Sequence, residues 1–217
     1  MYSVIILGGG SGERMGLGYN KVLYKIKGLT VIEHAAKNFI HDEDFKEVLV
    51  VINRDDYDQV KLLFNNPKVR VIKGGNTRQE SVYIGLNDLD DTTYVFIHDG
   101  ARPNISAESI AKMKEKVREG SLTLFTKANE SLVYHSDNQI DEYINRDFIA
   151  MIKTPQAFLY SDIKEAYELA KKNHHEYKDD ASVIMKEMGQ KVFLIEGEES
   201  NIKLTTQLDI KIMEELL

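Results

Sequence analysis

The sequence predicts an α/β fold, a mostly parallel sheet flanked by helices, and three observations carry that expectation. Short apolar runs rich in β-branched residues recur at 4–7, 48–52, 69–72, 94–97, 122–125 and 192–195. Segments of helical length and period lie between most of them, which is the alternation of a parallel sheet with crossover helices. Polar residues that cap helices stand where those segments begin.

Taken in order, the run at 4–7 breaks into Gly8-Gly9-Gly10-Ser11-Gly12-Glu13-Arg14-Met15-Gly16, and Lys21 follows. Thr30 and Glu33 then fit a capping box, which predicts the helix before the second strand. The third strand, 69–72, leads into Gly74-Gly75-Asn76-Thr77-Arg78-Gln79-Glu80-Ser81, where Thr77 and Glu80 fit a second box. After 94–97 comes His98-Asp99-Gly100-Ala101-Arg102-Pro103, and Ser106 is placed to cap the next helix. Residues 130–144 break the alternation: 131–134 and 139–143 flank His135-Ser136-Asp137-Asn138, the pattern of a hairpin with a polar turn. A lone hairpin is marginal in water, so this one packs either on its own domain or on a partner subunit. Asp179-Asp180 either binds a metal or caps a helix over 181–188, and capping is favoured.

Bulk properties bound the function. At 217 residues the chain is expected to be a single domain, 1–217, with the hairpin as an appendage. It is 42% hydrophobic and 29% charged, with no apolar run of membrane-spanning length. No signal-peptide pattern opens it, which points to the cytoplasm, and the absence of cysteine removes disulfides and thiolate chemistry. A net charge of −7 without a basic block argues against nucleic acid, while a few aimed cations still suit a small anionic substrate.

In open α/β sheets ligands bind outside the carboxyl ends of the strands. There the backbone N–H groups of Gly8, Gly9, Gly10 and Gly12 can converge on anionic oxygens, with Arg14 and Lys21 supplying full charges. This is neither common phosphate loop. The dinucleotide frame meets Glu13 or Met15 where glycine is required, and a Walker A lysine would not sit between Asn20 and Val22. Gly75, Asn76 and Ser81 can hold the edge of a base, or form only a well-capped turn. Asp99 and Arg102 can orient ribose hydroxyls or a metal-bound phosphate, or pair with each other. His98 reads as a hydrogen-bonded structural residue and His174-His175 as surface. Arg146 and Lys203 are candidates for a second anionic group.

With these residues assembled, the chain resembles the nucleotidyltransferases that couple a sugar or polyol phosphate to a nucleoside triphosphate. GGNTRQESV, HDGARP, TPQAF and NIKLTT, in this order, resemble more specifically the 2-C-methyl-D-erythritol 4-phosphate cytidylyltransferase family, over essentially the whole chain. The resemblance implies a Rossmann-like nucleotidyltransferase fold with a projecting β-hairpin arm at about 130–144 that exchanges contacts in a homodimer. It implies CTP, a polyol phosphate and Mg²⁺, the metal held mainly by the CTP phosphates with Asp99 as the one protein candidate. By matching positions, Arg14, Lys21 and Lys203 serve catalysis, and Gly75 and Ser81 help to read cytosine. Arg102, Ser131, Arg146 and Thr154 match positions on the acceptor side, with Arg146 reaching into a partner's site.

The chain departs from the family pattern in three places. Asn20 stands where Pro usually precedes the lysine, the arm lacks its usual Lys near Ser131, and Lys178 replaces a Thr. HDGARP and TPQAF favour the erythritol enzyme over the closest alternative, ribitol-5-phosphate cytidylyltransferase. A catalytically weak nucleotide-binding paralogue is the alternative of another class, and retention of Arg14, Lys21, Asp99, Arg102 and Lys203 argues against it.

Overall fold

Apolar side chains on both faces of the strands require helices on both faces of the sheet, and that is the arrangement in the computed structural model, which describes residues 1–10 and 15–217. The first half runs β1 (Tyr2–Leu7), a 3-10 turn (Lys21–Leu23), the short pair β2 (Lys25–Ile26) and β3 (Leu29–Thr30), α1 (Val31–His41), β4 (Phe45–Ile52), α2 (Tyr57–Leu63), β5 (Val69–Lys73), α3 (Arg78–Asp88) and β6 (Tyr94–Asp99). The second half runs α4 (Ala107–Lys116), β7 (Leu122–Lys127), β8 (Leu132–Ser136), β9 (Gln139–Ile144), a second 3-10 turn (Arg146–Phe148), β10 (Ala150–Leu159), α5 (Tyr160–Asn173), α6 (Asp180–Met188), β11 (Phe193–Glu196) and α7 (Gln207–Leu216).

Among the described residues, seven strands make one mixed sheet in the order β11-β7-β10-β6-β1-β4-β5. The pairs β1–β4, β1–β6, β4–β5 and β11–β7 are parallel, and β10 is antiparallel to both of its neighbours. Alternation along β1 sends Val4 and Ile6 to one buried cluster and Ile5 to the other. The first holds the rings of Phe39, Phe45 and Phe96, with Phe45 centred 5.1 Å from each of the other two in edge-on geometry. The second packs α3, α5 and α6 through Val82, Leu86, Ala166 and Ile184. A third, smaller cluster seats α7 on β2 and the start of α1 through Ile26, Val31, Ile210 and Met213.

Three expectations change in detail. The Thr30–Glu33 box is complete, but at Thr77 only half of one forms: Thr77 accepts from the Glu80 N–H at 3.0 Å, while the Glu80 carboxylate turns back to the Asn76 N–H at 2.7 Å. The arm turn is tighter than four residues. His135 and Ser136 belong to β8, and Asp137 and Asn138 alone make the turn, with φ of 47° and 61°, as a two-residue hairpin loop demands. Finally, TPQAF lies inside a ten-residue strand absent from the sequence reading, because Pro155 argues against a central strand. The ladder between β10 and β7 shifts register between Ile152 and Gln156, and Pro155 lies within that interruption.

Candidate active site

The chain leaves β1 toward β4 and β5, then returns to place β6 on the other side of β1. Loops departing in opposite directions open a crevice at the carboxyl ends of β1 and β6, the switch point at which open α/β sheets take ligands. A cavity of about 460 Å³ lies there, and three of the predicted loops wall it.

Gly8, Gly9, Gly10 and Lys21 form the first wall. The Gly8 N–H donates to Val51 at 2.8 Å, and a methyl group on Gly8 would come within 2.7 Å of Ile52 and 2.8 Å of Ile32. A side chain there would require the ends of these two isoleucines, on β4 and α1, to shift. Lys21 opens the first 3-10 turn and is 8% exposed. Asn20 caps that turn by accepting from the Val22 N–H, and donates to the Gly8 carbonyl at 2.7 Å and to Asp56 at 2.8 Å. Gly12 and Arg14, both named from the sequence, lie outside the described residues.

The second wall, Gly75 to Arg78 with Ser81, enters α3. The Ser81 hydroxyl donates to the Thr77 carbonyl at 2.9 Å and accepts from the Gly75 N–H at 3.1 Å. Its proton is thus used inside the loop, and what it can offer a ligand is an acceptor lone pair. Asn76 is exposed on the rim.

Asp99 and Lys203 complete the cavity. Asp99 ends β6 in register with Leu7, and three cations surround it: Lys203 at 2.8 Å, Arg78 at 3.5 Å and Arg102 at 3.7 Å. Burial would raise the Asp99 pKa, but Arg78, Lys203 and Arg102 outweigh it and hold the carboxyl well below its usual range. Arg102 also donates to the Asn201 carbonyl at 2.9 Å, which ties the HDGARP loop to the segment carrying Lys203. The Leu204 N–H reinforces this by donating to Ala101.

Beneath the charged floor, Thr154 from β10 is 5% exposed, and its hydroxyl accepts from the Asp99 N–H at 3.0 Å and contacts His98 Nδ1 at 3.2 Å. The other ring nitrogen of His98 meets the Arg102 carbonyl at 3.0 Å. Burial pushes the His98 pKa down to about 4, so the ring is neutral at pH 7. Because the folded pKa lies below the unfolded value of about 6.5, protons favour the unfolded chain. The stability held above pH 6.5 is lost as pH falls toward 4, by about 3 kcal/mol. Denaturant titrations at pH 7 and pH 4.5 should show this loss, and it should shrink in His98→Gln; an unchanged pH response in the variant would refute the assignment.

Sequence reasoning passed over Arg78; the capping favoured for Asp179-Asp180 is found at Asp179, while Asp180 is the partner of Arg78. Asp179 caps α6 through the Ser182 N–H at 2.9 Å. Asp180 is fully buried and takes a two-pronged bond from Arg78, at 3.0 and 2.7 Å, and a bond from the Tyr167 hydroxyl at 2.5 Å. An arginine at the first position of a helix inside a glycine-rich motif was the available signal. Arg146 and Ser131 are not brought into the crevice. Arg146 donates to the Asn129 carbonyl at 2.6 Å and borders a separate cavity of about 630 Å³ at the base of the arm, while Ser131 and Lys178 are exposed.

The geometry can be set beside known proteins. Residues 2–217 match the family model described as IspD: 2-C-methyl-D-erythritol 4-phosphate cytidylyltransferase. The chain is 35% identical to the protein of that name from Clostridioides difficile, over all of this chain and 94% of that one. It is 33% identical to the one from Bacillus pumilus, over all of this chain and 96% of that one. Among solved structures it is similar to the 4-diphosphocytidyl-2C-methyl-D-erythritol synthase of Anaerococcus prevotii, with a TM-score of 0.85 and 32% identity over all of this chain and 95% of that one.

Proposed function

The chain belongs to the 2-C-methyl-D-erythritol 4-phosphate cytidylyltransferase family, and on that premise we propose how its own residues carry the reaction. It is a nucleotidyltransferase that passes CMP from CTP to 2-C-methyl-D-erythritol 4-phosphate and releases pyrophosphate. The observation that carries the residue assignments is the meeting of Lys21, Lys203 and Asp99 with two glycine-rich loops in one crevice at the switch point.

An oxygen of the acceptor phosphate attacks the α-phosphorus of CTP. The bond from that phosphorus to the bridging oxygen breaks, and its electron pair leaves with pyrophosphate. The nucleophile is already ionised at neutral pH, so no base is required and the protein's part is positioning and charge neutralisation. Gly8, Gly9, Gly10 and Gly12 cradle the triphosphate, with Arg14 and Lys21 opposing the charge that gathers as pyrophosphate departs. Gly75, Asn76 and Ser81 hold the cytosine, whose exocyclic amine suits the acceptor lone pair of Ser81. Asp99 takes the ribose and metal side. Lys203 and Arg102 face the acceptor phosphate, and Thr154 acts from beneath by holding the Asp99 N–H.

Among the described residues no three His, Asp or Glu side chains come together as a metal cage. Among the described residues the cavity offers one carboxylate, Asp99. That donor set fits Mg²⁺, which keeps much of its water and binds through one or two carboxylates plus substrate phosphates. When bound, it supplies further neutralisation of the phosphate oxygens.

The arm completes the assembly. Strands β8 and β9 pair only with each other among the described residues, and they expose Tyr134, Ile140 and Tyr143. Burying these against a second copy would bring Ser131 and Arg146 to that copy's acceptor site in a homodimer of single-domain chains. No helix among the described residues is long and apolar enough to cross a membrane.

Pyrophosphate release with CTP and Mg²⁺ tests the reading. We expect release with 2-C-methyl-D-erythritol 4-phosphate and little with ribitol 5-phosphate. The reverse preference would overturn the acceptor, and release with neither despite CTP binding would overturn the activity.

A further inference from the structure

We infer that Asn20, acting through a hydrogen-bonded clamp to Gly8 and Asp56, is the positioning residue that sets Lys21 in the nucleotide cavity. The inference rests on the role proposed above for Lys21.

Asn20 is 4% exposed, and burying an amide is unfavourable unless its polar atoms are satisfied. Here all of them are. Both amide hydrogens are used, one on the Gly8 carbonyl at 2.7 Å and one on Asp56 Oδ2 at 2.8 Å, and the amide oxygen accepts from the Val22 N–H at 3.2 Å. A single planar group thereby fixes three chain segments against one another: the end of β1, the turn that begins at Lys21, and the loop between β4 and α2.

Asp56 is committed to the same arrangement. Its Oδ2 also accepts from Asn53 at 2.7 Å, and its own N–H donates to Asn53 Oδ1 at 2.8 Å. Asp56 stands at the N-cap of α2, a position at which aspartate usually accepts from a helix N–H, yet it makes no such bond. The carboxylate is turned toward Asn20 instead. Because Lys21 is the next residue along the chain, loss of the three side-chain bonds that hold Asn20 would free its backbone and with it the start of the lysine side chain. A displacement of about 1 Å at a reacting group is enough to cost on the order of a hundredfold in rate.

A residue that only packs the loop would lower stability and leave the contribution of Lys21 alone. A residue that acts through Lys21 must lose its effect when Lys21 is gone. The test is a double-mutant cycle of Asn20→Ala and Lys21→Ala, with kcat and the KM for CTP measured below every variant's unfolding midpoint. We expect Asn20→Ala to lower kcat by about ten- to a hundredfold, as a sub-ångström to 1 Å misplacement would, with the KM for CTP changing much less. In the Lys21→Ala background the same substitution should lower kcat by less than about twofold, because strongly non-additive effects mark residues acting as a unit.

Full additivity, or an Asn20→Ala enzyme with unchanged kcat, would overturn the clamp while leaving the role of Lys21 standing. A Lys21→Ala enzyme as fast as the parent would overturn both. Should Asn20→Ala not fold, Asp56→Ala, one link further from the cavity, takes its place in the same cycle with the same criterion.

Discussion

Lys21→Ala is expected to lower kcat by about two to three orders of magnitude, the scale set by removing one preorganised charge from a developing anion. The unfolding midpoint should move by only a few degrees. Lys21 is held at 8% exposure beside the glycine loop, where water screens its charge poorly. Charge on the departing pyrophosphate grows between bound CTP and the transition state, so an ammonium aimed there binds the transition state more tightly than the ground state. Interactions of that kind raise kcat and not merely affinity. The check is steady-state pyrophosphate release at saturating CTP, paired with thermal unfolding of the same preparation. Near-normal turnover in a folded variant would remove Lys21 from the mechanism.

Arg78→Met should have the largest effect on stability, about 3–5 kcal/mol, because it strands the fully buried Asp180 without its cation. For a chain of this size that corresponds to a fall of roughly 10 °C in the unfolding midpoint. Partial burial works against the Arg78 guanidinium, but Asp180 and then Asp99 more than reverse this and hold its pKa above the usual value. The guanidinium therefore stays charged. Arg78→Lys should recover only part of the loss, since one ammonium cannot replace the two-pronged bond at 3.0 and 2.7 Å. Activity should fall as well, because Arg78 also reaches Asp99 at 3.5 Å. A midpoint within a degree or two of the parent would show that Asp180 finds compensation elsewhere.

These two residues mark the border of what the sequence could tell. Lys21 was legible because a glycine run followed by a cation already describes local chemistry, and the parallel strands were legible because each is a short apolar run that includes β-branched residues. Arg78 and Asp180 are 102 positions apart, and nothing local distinguishes a capping aspartate from one buried against a distant arginine. Pro155 hid β10 for a different reason: its missing N–H is tolerated only because the ladder is interrupted beside it, and an interruption belongs to the pairing of strands, not to either strand alone. Arg146 and Ser131 were found as residues, but in a single copy of the chain they lie outside the crevice, and the role proposed for them depends on a second copy.

The antiparallel course of β10 also bears on how this enzyme can change. Lys21, Gly75 and Asp99 follow or end parallel strands, so insertions in the loops beyond them can reshape the nucleotide side while the sheet stays as it is. Thr154 reaches the floor of the crevice from the middle of a strand with neighbours on both sides. An added or deleted residue there would slip the register and exchange the side chains that the strand sends to the two buried sides of the sheet. Variation in acceptor choice should therefore accumulate in the arm and in the segment around Lys203, with the floor beneath Asp99 changing only by substitution.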